Sequence, residues 1–204
     1  IEIFGQAAHG SLPHRGIDAI VKAGKVLAAI ETLGKTDLNQ KSHPLLGSPS
    51  MHASLIEGGT ELSTYPDYCK IELERRNLPG EDRKAESAEI HDLLQNNQRQ
   101  DDQIKADFDV FFFRPAFEIS PDQPIVQTVR RSYELTFDKP PRFEGMWAWL
   151  DSAILAQAGI PAVIFGPSGD GAHAAVEYVD VESVITTTTV LVESIIDFCK
   201  EILQ

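Results

Sequence analysis

Apolar and polar positions alternate along the first half of the chain in a rhythm that changes near residue 115. Ile1-Glu2-Ile3-Phe4 alternates, predicting a strand over residues 1–8, and a loop around Pro13 follows. Ile17, Ile20, Val21, Leu27, Ala28 and Ile30 then recur at helical spacing, predicting a helix from Ile17 to about Leu33 with Gly34 as its stop. Residues 35–50, with Pro44, Gly47 and Pro49, read as loop. Met51–Glu57 predicts a strand ended by Gly58-Gly59. Cys69-Lys70-Ile71-Glu72-Leu73-Glu74 alternates cleanly, so one face is buried and the other wet; Arg75 then reads as a surface charge. A helix from Glu81 to about Gln98 turns Ala85, Ile90, Leu93 and Leu94 inward, and Ile104–Val110 alternates again. The order β-α-β-β-α-β over residues 1–113 is that of the ferredoxin-like sandwich, one sheet with two helices on one face. An edge strand of such a sheet, Met51–Glu57 being a candidate, either pairs with a second copy or stays solvated.

Beyond Arg114-Pro115 the pattern becomes helix, strand, helix, strand, helix, which divides the chain into domains 1–114 and 115–204. Ser120 reads as an N-cap, with Pro121 at the first helical position and Gln123 closing a capping box, for a helix to about Leu135. Pro140-Pro141 interrupts it, and Arg142-Phe143-Glu144 predicts a short strand. Asp151 caps a helix ending at Gly159, Ala162-Val163-Ile164-Phe165 reads as a buried strand, and Asp180 caps a last helix to about Leu203. Trp147 and Trp149, two apart, read as core or as the lining of a specificity pocket. Two or three strands do not make a layered α/β sheet, so this second part is expected to be half of one. The chain also opens in mid-strand, without Met or polar lead-in, and the remaining strands are expected upstream of Ile1.

Charge narrows the partners. A net charge of −13 argues against nucleic acid, whose phosphates would be repelled. No apolar run approaches about 18 residues, and no signal-peptide pattern or polybasic tail appears, which argues against a membrane role. Cys69 and Cys199 form no C-x-x-C and fit two buried thiols in a reducing cytoplasm, with export left open.

The candidate chemistry lies after the run 162–165, in Gly166-Pro167-Ser168-Gly169-Asp170-Gly171-Ala172-His173-Ala174-Ala175-Val176-Glu177. Open α/β sheets carry their sites on such loops at the carboxyl ends of strands. His173 is the side chain there able to bind a metal or move a proton near neutral pH. The loop lacks a Walker lysine and the G-x-G-x-x-G spacing, so phosphate cradling has no signature.

Several stretches together resemble a known family. These are Gly5-Gln6-Ala7-Ala8-His9-Gly10-Ser11-Leu12-Pro13 with Gly16-Ile17-Asp18-Ala19-Ile20, then Glu57-Gly58-Gly59 with Tyr65-Pro66-Asp67, and Arg75-Arg76-Asn77-Leu78-Pro79-Gly80. Leu150-Asp151-Ser152-Ala153, Gly159-Ile160-Pro161, Phe165-Gly166-Pro167 and Ala172-His173 with Glu177 complete the set. In this order they resemble the later two-thirds of the dinuclear-zinc deacylases and peptidases, among them acetylornithine deacetylase, succinyl-diaminopimelate desuccinylase, aminoacylase and glutamate carboxypeptidase. The resemblance implies a ferredoxin-like lid and dimerisation domain followed by the C-terminal part of an α/β zinc-hydrolase domain. It also implies hydrolysis of amide bonds in N-acyl amino acids or small peptides, by a cytoplasmic homodimer.

By resemblance, His173 is a zinc ligand, and His9 is the lid histidine that reaches the partner's site and stabilises the oxyanion; a loop-capping role is its plain alternative. Arg76 holds the substrate carboxylate or the oxyanion, as its fixed fork of donors suits. Backbone N–H groups of Gly166–Gly169 offer an anion nest. Asp151 stands where the family has Thr-Asp-Ala, with Leu150 in place of threonine, though N-capping explains it equally. Glu177 reads as a supporting carboxylate near His173. Ser63 stands where the family often has asparagine, keeping a donor and an acceptor at shorter reach. Two zinc ions per complete subunit are implied, cobalt and manganese being alternatives. Most of their ligands and the general base belong to the family's first third, and no such cluster occurs here. His14, His43, His52 and His91 read as surface or turn residues. The chain alone is therefore expected to be inactive. The rival reading is a non-catalytic dimerisation module.

Overall fold

Strand β1 (Glu2–Phe4) is hydrogen-bonded on both sides, a central position that explains why Ile3 is fully buried. The computed structural model describes residues 1–202, which fall into two compact units, Ile1–Ala116 and the residues from Phe117 on. In the first unit β1 is followed by β2 (Ala8–His9), α1 (Ala19–Lys35), α2 (Asp37–Gln40), β3 (Ser50–Gly58), β4 (Thr64–Tyr65), β5 (Tyr68–Arg76), α3 (Arg83–Gln100) and β6 (Lys105–Asp107). The main sheet has the order β3-β5-β1-β6, antiparallel throughout, which is the ferredoxin-like arrangement. Ile3 opposes Cys69 on one side and Ala106 on the other. This register turns Cys69, Ile71 and Leu73 toward Ala19, Ala23, Val26 and Ile30 of α1 and Ile90, Leu93 and Leu94 of α3. Lys70, Glu72, Glu74 and Arg76 take the opposite, wet face.

Local chemistry moves several predicted boundaries. The expected strand over 1–8 breaks at Gly5 into β1 and β2. Asp18 caps α1, its carboxylate accepting from Val21 N–H at 2.9 Å. Gly34 does not stop this helix, which continues through Lys35. Within the expected loop 35–50, Asp37–Gln40 forms a helical turn because Leu38 is fully buried. Asp82 caps α3 by accepting from Ala85 N–H at 2.7 Å, which leaves Ala85 exposed in the first turn rather than inward. Edge strand β3 bulges between Ala53 and Leu55, and Leu55 is 63% exposed.

Two ionic ties lock the layers. Lys22 and Lys25 of α1 both donate to Asp101 Oδ2, at 2.7 and 2.6 Å, and hold its carboxyl far below the usual carboxylate range. Arg75 is the second tie and corrects the sequence expectation. It occupies the helix-facing side of β5 with its side chain only 7% exposed, donating to Glu81 at 2.7 Å and to Glu89 at 3.4 Å. Lys41 joins the same two carboxylates, Glu81 at 2.8 Å. Burial alone would raise the Glu81 carboxyl, but the bonds from Arg75 and Lys41 outweigh it and set its pKa below the ordinary 4.5. Neighbouring Glu86 is pushed the other way by burial.

The second unit holds α4 (Pro124–Phe137), α5 (Ser152–Gln157), the strands β7 (Gly169–Asp170) and β8 (Tyr178–Val179), and α6 (Val181–Ile202). Small and polar residues, Thr128 and Ser132 on α4 with Val190 and Ser194 on α6, are buried where these helices meet, and Arg131 donates to Asp197 at 2.8 Å. The expected start at Ser120 shifts. Ser120 caps a separate turn, accepting from Asp122 N–H at 3.2 Å, and the helix begins at Pro124, which needs no N–H partner at that position. Residues 142–144 form no strand. Run 162–165 is not a strand either: no hydrogen-bonded neighbour lies beside it among the described residues, and Phe165 instead packs edge-on to Tyr133 at 6.1 Å. Trp147, expected in the core or lining a specificity pocket, is 70% exposed, and Cys199, expected buried like Cys69, is exposed. Large apolar side chains of α6, including Ile185 and Ile195, also face outward. The expected helix end at Leu203 lies outside the described residues.

Replacing Arg75 by Met takes from Glu81 its 2.7 Å partner and leaves Glu81 and Glu89 to Lys41 alone, which should destabilise the fold by about 1–3 kcal/mol in denaturant unfolding at neutral pH. Glu81 has a depressed folded pKa. Its stabilising contribution is therefore complete above 4.5 and lost as the pH falls through the folded value, so the gap between wild type and variant should narrow in acid. A pH-independent gap would contradict this origin.

Candidate functional site

His9 is positioned by backbone before any side chain acts. After β1 the chain passes through Gly5, where a Cβ would lie 2.2 Å from the Ile17 carbonyl oxygen, so only glycine fits. The Gly5 amide donates to Asp67 O at 2.8 Å, and β2 then pairs with β4, His9 opposite Thr64. Gly10 N–H donates to Ser63 O at 2.6 Å, and Leu12 N–H donates to His9 O at 2.8 Å, closing a turn over residues 9–12. Inside this turn the ring Nδ1 of His9 lies 2.7 Å from Ser11 Oγ and 3.2 Å from Ser11 N. A backbone amide only donates, so Nδ1 accepts and the ring proton sits on Nε2. The imidazole is exposed. An exposed Nε2–H on a pinned ring can donate to an oxygen that gains negative charge.

Ser63 adjoins His9 through this ladder, and the sheet brings these two predicted residues together. Arg76 is not with them. It ends β5 on the wet face, exposed and paired with Glu74, while the His9 ladder lies at the Tyr68 end. Eight steps of about 3.3 Å put roughly 26 Å of strand between the two ends. One copy of the chain therefore does not unite His9 and Arg76.

In the second unit His173 sits on the loop joining β7 to β8. The loop is tight. Gly171 has φ 78°, a Cβ there would lie 2.1 Å from Val176 O, and His173 itself is left-handed at φ 63°. A left-handed non-glycine residue carries a local energetic cost of about 1–3 kcal/mol and is held by its surroundings. His173 and Glu177 are both exposed on this loop. The expected anion nest is interrupted: the amide of Ser168 donates to Ser183 Oγ at 3.0 Å. Gly166 has open space around it, whereas Gly169 abuts Tyr178 O in the ladder. Asp151 makes no side-chain cap, because its own backbone is already helical (φ −60°, ψ −16°) and its carboxylate does not reach the following amides. A groove of about 320 Å³ beside α4 and α6 is lined by Ile125, Val129, Phe165, Leu191, Ile195 and Phe198, and by none of the candidate residues.

Among the described residues no three His, Cys, Asp or Glu side chains gather to hold a metal. Four ligands complete a zinc ion, so His173 does not form a zinc site from these residues. Ser11 was the residue whose part spacing alone left unassigned; the available signal was a serine two after a histidine, the offset at which a turn lets a side chain accept from a backbone amide.

Residues 1–102, half of the chain, match the family model described as the peptidase dimerisation domain of the M20 type. The chain belongs to the M20 peptidase family. Curated M20 relatives include an N-formyl-4-amino-5-aminomethyl-2-methylpyrimidine deformylase from Bacillus subtilis, 28% identical over 91% of this chain and 47% of that protein. Acetylornithine deacetylase from Myxococcus xanthus is 26% identical over 98% of this chain and 52% of its own length. The M20 chain thus spans about half the length of the curated relatives it matches. Among solved structures, the aminopeptidase PepT from Bacillus cereus superposes with a TM-score of 0.75 at 24% identity, over 95% of this chain and 49% of that one. A tripeptidase from Staphylococcus aureus gives 0.76 at 22%, over 95% and 48%. These likenesses show the M20 fold.

Gly171→Ala should break the β7–β8 loop of the M20 chain, since the added methyl meets a carbonyl and the φ disfavours it. The expected readout is faster amide hydrogen exchange across Gly169–Val179, at a local cost of about 1–3 kcal/mol. Unchanged protection there would contradict the tight closure.

Proposed function

We propose that the chain is part of an amide hydrolase acting on N-acyl amino acids or small peptides. The observation that carries this reading is the match of residues 1–102 to the peptidase dimerisation domain. Relatives named deacetylase and deformylase, enzymes that take an acyl group from nitrogen, support the reaction class.

His9 of one copy donates Nε2–H to the carbonyl oxygen of a substrate held by the other copy, stabilising the oxyanion of the tetrahedral intermediate. Ser63, bonded through its carbonyl to Gly10, lines the same contact. Arg76 of the other copy binds the substrate carboxylate through its paired N–H donors. The separation of Arg76 from the His9 ladder, which lies at the other end of β5, favours this division between copies, and edge strand β3 is the surface through which the copies pair. In the second domain, residues 115–204, Gly166 and Gly169 line the substrate and Glu177 and Asp151 support His173. His173 contributes one imidazole toward a metal, with zinc first and cobalt or manganese as substitutes. The described residues do not complete a site for two zinc ions, so the ligands and the general base are assigned to residues other than these. Both cysteines are free, which supports a cytoplasmic setting. Among the described residues no helix is long and apolar enough to cross a membrane.

The 204 residues alone, supplied with zinc and an N-acetyl amino acid, should show no turnover; robust turnover would refute the assignment of the missing ligands. The protein as its gene encodes it should bind about two zinc ions per subunit. It should also lose roughly 10²–10³ in kcat on His9→Ala. Absence of both metal and activity would favour a non-catalytic dimerisation module.

A further inference from the structure

Ser11 has no place in the reading above, yet it makes the two bonds that decide what His9 can do. Its hydroxyl lies 2.7 Å and its amide nitrogen 3.2 Å from the same ring nitrogen, Nδ1. Both groups are able to donate, and the amide has no other option. An Nδ1–H proton would face the amide proton head-on, so the amide disfavours that tautomer, and the shorter bond from the hydroxyl, donated to a bare Nδ1, adds to the preference for Nε2–H. The reverse tautomer would present a bare nitrogen lone pair at Nε2, which repels a carbonyl oxygen instead of stabilising it.

The turn that makes this possible is itself constrained. The Leu12 amide bonds to the His9 carbonyl at 2.8 Å, and the Gly10 amide to Ser63 O at 2.6 Å, so residues 9–12 are anchored at both ends. A Cβ on residue 10 would come within 3.2 Å of Ser63 O, a tight approach that leaves little room for a side chain between the histidine and the serine. Backbone anchoring thus sets where Ser11 stands, and Ser11 sets which ring nitrogen keeps the proton.

We propose that Ser11 is a positioning residue for His9: its hydroxyl and amide together hold Nδ1 as an acceptor, so that Nε2–H is the group offered to the scissile carbonyl oxygen. The catalytic half of this inference rests on His9 acting on that carbonyl; the tautomer half stands on geometry alone. Ser11 touches neither substrate nor metal in this scheme.

The test joins a spectroscopic readout to a kinetic one. In the 204-residue chain labelled with ¹⁵N-histidine, the His9 ring should show Nε2 protonated and Nδ1 accepting. Ser11→Ala, which removes the 2.7 Å hydroxyl bond and keeps only the longer amide contact at 3.2 Å, should raise the fraction of the opposite tautomer, and Ser11→Thr, which keeps hydroxyl and amide, should restore the wild-type spectrum. In the complete gene product Ser11→Ala should lower kcat about 2- to 10-fold, the worth of one hydrogen bond, with KM unchanged. A wild-type ring protonated on Nδ1, or a ring spectrum unmoved by Ser11→Ala, would overturn the proposal. The expected spectra combined with full activity of His9→Ala would overturn the catalytic role of His9, and would leave its fixation by Ser11 standing.

Discussion

Three residues of β1, hydrogen-bonded on both flanks, fix the first unit. Ile3 is fully buried between Cys69 and Ala106, and the antiparallel register it sets decides which residues of β5 meet the helices. A slip by one residue would exchange the faces, sending Ile71 into water and Lys70 into the core. The same register brings Phe4 against Tyr68 and hands the chain on, through the Gly5–Asp67 bond, to the short β2–β4 ladder. His9 is therefore placed by the sheet, with side-chain contacts only refining its ring.

That order of causes explains which features were legible in the sequence. Period-two alternation in 69–74 and helical spacing in 17–33 are strong signals, because one face of each element is buried against the other, and the β-α-β-β-α-β order followed from them. Boundaries were less legible. Asp18 and Asp82 move the helix starts by capping, and Leu38 draws a predicted loop into a helical turn through burial that no local rule anticipates. Arg75 marks the limit of pattern reading. Alternation correctly separated it from Arg76 but assigned the wrong residue to solvent, because the carboxylates that hold it, Glu81 and Glu89, come from outside the strand and are shared with Lys41 of yet another segment.

The second unit was read less well, and for one physical reason. Strand prediction presumes a ladder partner, and the run 162–165 has none among the described residues, so its apolar side chains pack without forming a sheet. The outward Ile185 and Ile195 and the exposed Trp147 belong to the same circumstance: apolar surface whose burial the pattern anticipated is open in these residues. By contrast the glycine-rich loop behaves as its composition implies. Gly171 supplies a left-handed turn with no room for a side chain, and it presents His173 outward.

The His9 ladder lies at the Tyr68 end of β5 and Arg76 closes that strand at the other end, roughly 26 Å of strand away, so the proposed joint action on one substrate draws on two copies. Mixed dimers of the complete protein, one subunit carrying His9→Ala and the other Arg76→Ala, measure this most directly. Sharing between copies predicts one intact site per mixed dimer and about half the wild-type activity, although each parental homodimer is impaired at both sites. Mixed dimers no more active than the two parents would show that both residues serve the same subunit's site, or none, and would contradict the account.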